Sequence, residues 1–223
     1  MKVGYSKKVL ELFMNPKNVG HMEDASVTSL AGSIACGDMI KLYLKINPKT
    51  EVIEKITFES YGCAANIATS SVITEMAKGK SVQEAWKISF KDEVEELGGL
   101  PKIKYHCAVL SIKGLRLALT KWDVIRGRRP LDEALVEELL KGVMDPHTDK
   151  DLVSAGMVKK IRVVGGKRKR VEITLEVPED DFKEEILSNV EEAFEKLEVE
   201  IITKSVEPAD VEGPLAEASE KGT

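Results

Sequence analysis

An α+β fold is predicted for this chain: a three-stranded antiparallel sheet with helices packed on it, followed by a small α-β-β-α-β domain. Two observations carry the prediction. Period-two alternation over residues 26–60 gives way to helical periodicity from residue 63 to about 126, the strands-then-helices order of an α+β unit. Gly127-Arg128-Arg129-Pro130 then breaks the pattern, and a fresh helix-strand-strand-helix-strand succession follows it. At about 100–200 residues per domain, 223 residues suit one large domain or two small ones. The break divides them into 1–128 and 129–205, with a tail at 206–223.

The elements follow in order. Ser6 can cap a helix that Pro16 stops, with Val9, Leu10, Phe13 and Met14 as its apolar stripe. Residues 26–34, 38–46 and 53–60 read as strands, with Ile40, Leu42, Leu44 and Ile46 on one face. The turn Asn47-Pro48-Lys49-Thr50 between the second and third makes them an antiparallel meander. Residues 63–78 are helical, Ser81-Val82-Gln83-Glu84 is a capping box, and 91–97 is a turn or two of helix that Gly98-Gly99-Leu100-Pro101 ends. Residues 103–126 read as a long helix, in which Gly114 is a candidate point of interruption. In the second unit Asp132 caps a helix through Leu135, Leu139 and Leu140, strands occupy 158–164 and 170–177, a helix 181–197 and a last strand 199–203. Beyond Val206, the prolines, glycines and acidic residues cannot bury enough surface to fold.

Composition narrows the function. No apolar run approaches the roughly 18 residues that span a bilayer, which excludes a membrane protein, and no secretory signal is visible at the N-terminus. The cytoplasm is the expected compartment. With 38 acidic against 33 basic residues the net charge is -5, so there is no general electrostatic reason to bind nucleic acid. The short basic run Lys167-Arg168-Lys169-Arg170 reads as a solvated hairpin tip, and His147, after Asp145-Pro146, as part of a polar turn.

Three cysteines in a reducing compartment are thiols, metal ligands or filler rather than a disulfide framework. Cys36 lies in Ala35-Cys36-Gly37-Asp38 at a loop tip between two strands, with a carboxylate two residues on. Cys63 stands at a strand-to-helix junction, where free N–H groups and the helix dipole favour a thiolate. His106 and Cys107 are adjacent near a helix start, about 100° apart around its axis, so both can border one cavity. The cysteine separations of 27 and 44 residues, with no C-x-x-C pair, fit a zinc finger or ribbon poorly. A site would have to be assembled by folding, from three thiols with Asp38 and His106 as further candidates. Such soft ligands select zinc, copper(I) or an iron-sulfur unit. A packed core position for the His106-Cys107 pair, a Cys-His thiol enzyme and a structural zinc protein are the competing readings.

These residues resemble the IscU/NifU-type iron-sulfur cluster scaffold family over about residues 1–125. The resemblance rests on Tyr5-Ser6-Lys7-Lys8-Val9, Asn15-Pro16-Lys17-Asn18-Val19-Gly20, Ala35-Cys36-Gly37-Asp38, Tyr61-Gly62-Cys63-Ala64, Ser70-Ser71, Lys78-Gly79-Lys80-Ser81 and His106-Cys107. It implies a non-enzymatic scaffold on which a cysteine desulfurase delivers persulfide sulfur, a labile [2Fe-2S] cluster is built, and the cluster passes to apo acceptor proteins. Cys36, Cys63 and Cys107 match the family's three cysteines, with Cys107 as the sulfur acceptor. Asp38 and His106 match its aspartate and histidine, either of which can complete the ligand set, and Asp38 would help make the cluster labile. Zinc can occupy the same site. Tyr5 matches a tyrosine associated with dimer contacts, so a homo-oligomer is expected. Leu100-Pro101-Lys102-Ile103-Lys104 departs from the family's Leu-Pro-Pro-Val-Lys, which puts docking of an Hsp70-type chaperone in doubt.

The second unit resembles the PaaD/SufT-like assembly domain, through Val143-Met144-Asp145-Pro146, Leu152-Val153 and Gly156-Met157-Val158. His147 replaces a usual glutamate. No cysteine occurs beyond Cys107, so this unit ligates nothing through thiolate and its expected role is docking or targeting.

Overall fold

The computed structural model describes residues 4–32, 38–148, 150–165 and 169–206. Its first element, α1 (Lys7–Met14), is capped by the Ser6 hydroxyl, which accepts from the Val9 amide. The helix buries Val9 and Leu12, whereas Leu10, Phe13 and Met14 are exposed. The expected stripe is therefore rotated: residues 9 and 12, a turn apart, face the protein, and the larger apolar groups face out.

Strands β1 (Val27–Gly32), β2 (Met39–Ile46) and β3 (Ile53–Tyr61) form the predicted antiparallel meander in that order. Alternation along β2 decides the sheet's two faces. Ile40, Leu42, Leu44 and Ile46 enter one core with Ile53, Ile56 and Phe58, beneath α2 (Ala64–Ala77) and α5 (Tyr105–Ile125). Tyr43, on the opposite face, is covered by Met22 and Ala25 and donates its hydroxyl to the Glu59 carboxylate.

Two short helices, α3 (Val82–Ala85) and α4 (Phe90–Glu96), connect the long ones. Each opens on a complete capping box, Ser81 with Glu84 and Ser89 with Asp92. A 3₁₀ turn at Lys102–Lys104 then leads into α5, which continues unbroken past Gly114. The glycine serves close packing instead of an interruption. A Cβ there would lie 3.3 Å from Leu42 Cδ1, and Ser29 Oγ donates to the Gly114 carbonyl at 2.8 Å, so α5 rests directly on β1 and β2.

Residues 126–132 lead to α6 (Glu133–Leu140), whose Asp132 cap accepts from the Leu135 amide. Two two-residue strands that period-two reading cannot detect, β4 (Met144–Asp145) and β5 (Lys150–Asp151), come next. Then β6 (Val158–Val164), β7 (Lys169–Glu176), α7 (Lys183–Ala193) and β8 (Val199–Val206) complete the predicted order. β7 is central, antiparallel to β6 and parallel to β8 across the α7 crossover. Residues 166–168, which include the first two members of the basic run, and the tail beyond 206 lie outside the described residues, while Lys169 and Arg170 begin β7. His147 does sit in a polar turn: its ring nitrogens contact Asp145 Oδ1 at 2.8 Å and Asp180 Oδ2 at 2.7 Å.

The two three-stranded sheets are joined through buried contacts. Leu30 of β1 and Leu117 of α5 lie in the same apolar cluster as Leu135, Leu139, Val171 and Ile186. Lys41 of β2 pairs with Glu192 and Glu195, and those carboxylates hold its ammonium above its ordinary range although burial works the other way. Lys121 of α5 is fully buried and donates to the Ala193 carbonyl at 2.9 Å, satisfying an orphan acceptor at the C-terminal end of α7.

Burial pushes the Lys121 ammonium down to about 7 from 10.5. Between those values the unfolded chain keeps a proton that the folded chain has released, so this group's contribution to stability rises with pH through the window. Lys121→Met removes it. The stability of the variant relative to wild type, read as a urea midpoint, is expected to be greatest at pH 7 and below and to decline steadily towards pH 10; a pH-independent difference would contradict the assignment.

Candidate metal centre

The elements that meet at one end of the first sheet bring distant residues together. Asp38 directly precedes β2, Cys63 is the N-cap residue of α2 just after β3, and His106 and Cys107 lie in the first turn of α5. β2 and β3 pair Met39 with Tyr61, which sets the start of one strand beside the end of the other. Asn66, in the first turn of α2, ties this corner: its amide donates to Ser60 Oγ at 2.9 Å, to the Tyr61 carbonyl at 3.3 Å and to the Met39 carbonyl at 3.4 Å.

Asp38 is 3% exposed, and its carboxylate turns into this corner. Oδ1 accepts from the Cys63 amide at 3.3 Å, and Oδ2 lies 3.8 Å from Cys63 Sγ and 3.6 Å from Cys107 Sγ. Gly62 makes the approach possible, since a Cβ there would fall 2.6 Å from Asp38 Oδ1 and 2.5 Å from Asn66 Nδ2. The two thiols are 3.7 Å apart. Asp38, His106 and Cys107 each offer a ligand atom within 4.8 Å of the others. Of the five residues singled out in the sequence, four therefore meet; Cys36 lies outside the described residues.

The arrangement fits a thiophilic metal on two observations. A tetrahedral ion with metal–sulfur bonds of about 2.3 Å separates two sulfur ligands by roughly 3.8 Å, close to the spacing found here. His106 Nε2 is buried and finds no hydrogen-bond partner among the described residues, although a buried ring nitrogen is costly to leave unpaired. A metal ligand role would satisfy it.

Two neighbours tune the site. Lys104 Nζ lies 3.5 Å from Cys63 Sγ; burial works to lower its pKa, but the sulfur outweighs this and holds the ammonium above its ordinary range. Tyr5 packs against the same cluster, and burial, with the proximity of Cys63, Cys107 and Asp38, raises its phenol against the opposing pull of Lys104. The Lys104 contact was not legible in the sequence. Its only signal is position, one helical turn before Cys107. Cys107 itself is fully buried, and burial followed by Cys63 and Asp38 pushes its thiol well above the usual cysteine range.

Comparison with known proteins adds a second line of observation. Residues 4–129 match the NifU-like N terminal domain family, and residues 133–202 match the iron-sulfur cluster assembly protein family. The iron-sulfur cluster assembly scaffold protein IscU of Aquifex aeolicus is 44% identical over 128 residues, covering 57% of this chain and 82% of that protein. IscU 1 of Archaeoglobus fulgidus is 45% identical over 150 residues, covering 64% of this chain and 95% of its own length. Among solved structures, the N-terminal part of a nitrogen-fixing NifU-like protein from Brucella abortus superposes with a TM-score of 0.45 at 17% identity, over 53% of this chain and 94% of that one.

The unequal environments of the two thiols are open to direct measurement. In metal-free protein, iodoacetamide is expected to label Cys63, which is partly exposed beside Lys104, at least about tenfold faster than buried Cys107, as thiolate access dictates. Mass spectrometry of the two peptides reads the ratio, and equal rates would contradict the geometry.

Proposed function

We propose, from the premise that the chain belongs to the NifU-like N terminal domain family, that it is an iron-sulfur cluster assembly scaffold whose cargo is built at the corner between Asp38, Cys63, His106 and Cys107. The observation that carries this reading is the convergence of two thiols, a buried carboxylate and an unpartnered imidazole nitrogen from three segments far apart in sequence. Cys36, two residues before Asp38, supplies the third thiolate.

The cargo is a [2Fe-2S] cluster held by Cys36, Cys63 and Cys107, with Asp38 or His106 completing the set. A carboxylate holds iron less durably than a thiolate, which suits a cluster that must leave. Zinc can take the same ligands, since thiolates and imidazole suit both metals. Sulfur arrives from a cysteine desulfurase at Cys107. That side chain has no exposure, so delivery requires a local opening of the corner. Acceptor proteins take the finished cluster, and a second copy of the chain can associate with the first through the Tyr5 region. The role is to hold and release rather than to turn over a substrate, in the cytoplasm. Among the described residues no helix is long and apolar enough to cross a membrane.

Anaerobic reconstitution of the full chain with iron and sulfide tests the reading. Visible charge-transfer bands with stoichiometric acid-labile sulfide are expected, and Cys63→Ser or Cys107→Ser should abolish them. Asp38→Cys should retain the bands but slow loss of the cluster to an iron chelator by about tenfold, as a thiolate replaces the less durable carboxylate. Absence of the bands in wild-type protein, or their persistence in both cysteine variants, would overturn it.

A further inference from the structure

The C-terminal unit grips the two strand ends from which Asp38 is suspended. β1 and β2 pair Gly32 with Met39, and Asp38 is the residue immediately before Met39. Both members of that pair are contacted from outside the first sheet. A Cβ on Gly32 would lie 2.6 Å from Met144 Sδ, 3.0 Å from Met144 Cγ and 3.3 Å from the Gly142 carbonyl oxygen, so Met144 fills the space a side chain at position 32 would need. Gly142 is held equally closely, because a Cβ there would fall on the Leu30 carbonyl. Met39 packs against the apolar cluster that the C-terminal unit builds, and two residues further on Lys41 reaches Glu192 and Glu195.

None of these contacts touches a thiol. Their effect on the site runs through Asp38, whose carboxylate must reach the Cys63 amide and both sulfur atoms at once. A ligand is only as well placed as the backbone that carries it, and supports outside the ligand set typically change metal affinity 10–100-fold.

We infer that the C-terminal unit is a positioning element for the metal centre, and that Met144, lying over Gly32, is its principal contact. This rests on the scaffold reading above, because it assigns a second unit to the same site. Coupling between two parts of a protein is reciprocal, so a metal bound at the thiols must in turn tighten the Met144 contact. A neighbour that only added stability would show no such link.

Zinc is the probe, with the full chain and a competing chelator. Met144→Ala is expected to weaken zinc binding about tenfold, the lower end of the range for supporting residues, while Met144→Leu, of similar volume, restores it. In wild-type protein, zinc is expected to slow amide hydrogen exchange in the peptide spanning 142–145 as well as around Cys63 and Cys107. This second measurement needs no variant and stands even if Met144→Ala folds poorly. Unchanged zinc affinity in Met144→Ala, or exchange at 142–145 indifferent to zinc, would overturn the inference while leaving the scaffold reading intact. Zinc binding that survives Cys63→Ser and Cys107→Ser would instead strike the scaffold reading itself.

Discussion

A buried carboxylate at the end of a strand organises this molecule's chemistry. Asp38 is almost wholly removed from water, and a carboxylate in that position costs several kcal/mol unless donors or cations offset the loss of hydration. The described residues provide one amide, from Cys63, and two thiols, of which the better buried is itself disfavoured as an anion by its neighbours. Lys104 adds positive charge at the rim. A group of like-signed or neutral donors packed this closely is short of a cation, and under the proposed function a metal supplies it. The absence of a side chain at Gly62 and the clamp formed by Asn66 are the means by which the backbone holds the carboxylate in place.

The union of the two sheets follows the same logic of buried polar groups that are given specific partners. Lys121 could be an apolar residue if its only task were to fill space. Its ammonium instead caps the orphan carbonyl at the end of α7, at the cost of a strongly lowered pKa. Lys41, less buried, keeps its charge because Glu192 and Glu195 meet it. Apolar packing around Leu30, Leu117 and Val171 brings the units together, and these two lysines fix the register, since a slip of one residue would strand a buried cation.

Much of this was legible in the sequence, for identifiable reasons. The meander was readable because β2 alternates strictly and a polar Asn-Pro turn separates it from β3; the capping boxes were readable because their chemistry is local. The rotation of α1 was not, because Leu10 and Phe13 are as apolar as Leu12 and only the docking surface decides between them. Gly114 suggested a break, since glycine weakens an isolated helix, but contact with Leu42 and Ser29 outweighs intrinsic preference. Two-residue strands carry no periodicity, so β4 and β5 were invisible. At the site, residue types and order pointed to Asp38, Cys63, His106 and Cys107, whereas the proximity of Lys104 to Cys63 and of Met144 to Gly32 depends on tertiary packing that no spacing encodes.

The proposed ligand set also explains why holding and releasing can be served by one corner of a fold. Its members come from the lead-in to β2, the start of α2 and the start of α5, which carries both His106 and Cys107, so three elements secure them and no single short loop can close around the cargo. Rigid placement of Cys63 and Cys107 by two helix starts favours capture. The less durable carboxylate ligand is carried by the strand end that the C-terminal unit supports, and a small displacement there would weaken one ligand without disturbing the helices. A scaffold with four thiolates on one element would bind more tightly and release more slowly; dividing the ligands between stiff helices and a supported strand end lets affinity be adjusted from outside the site.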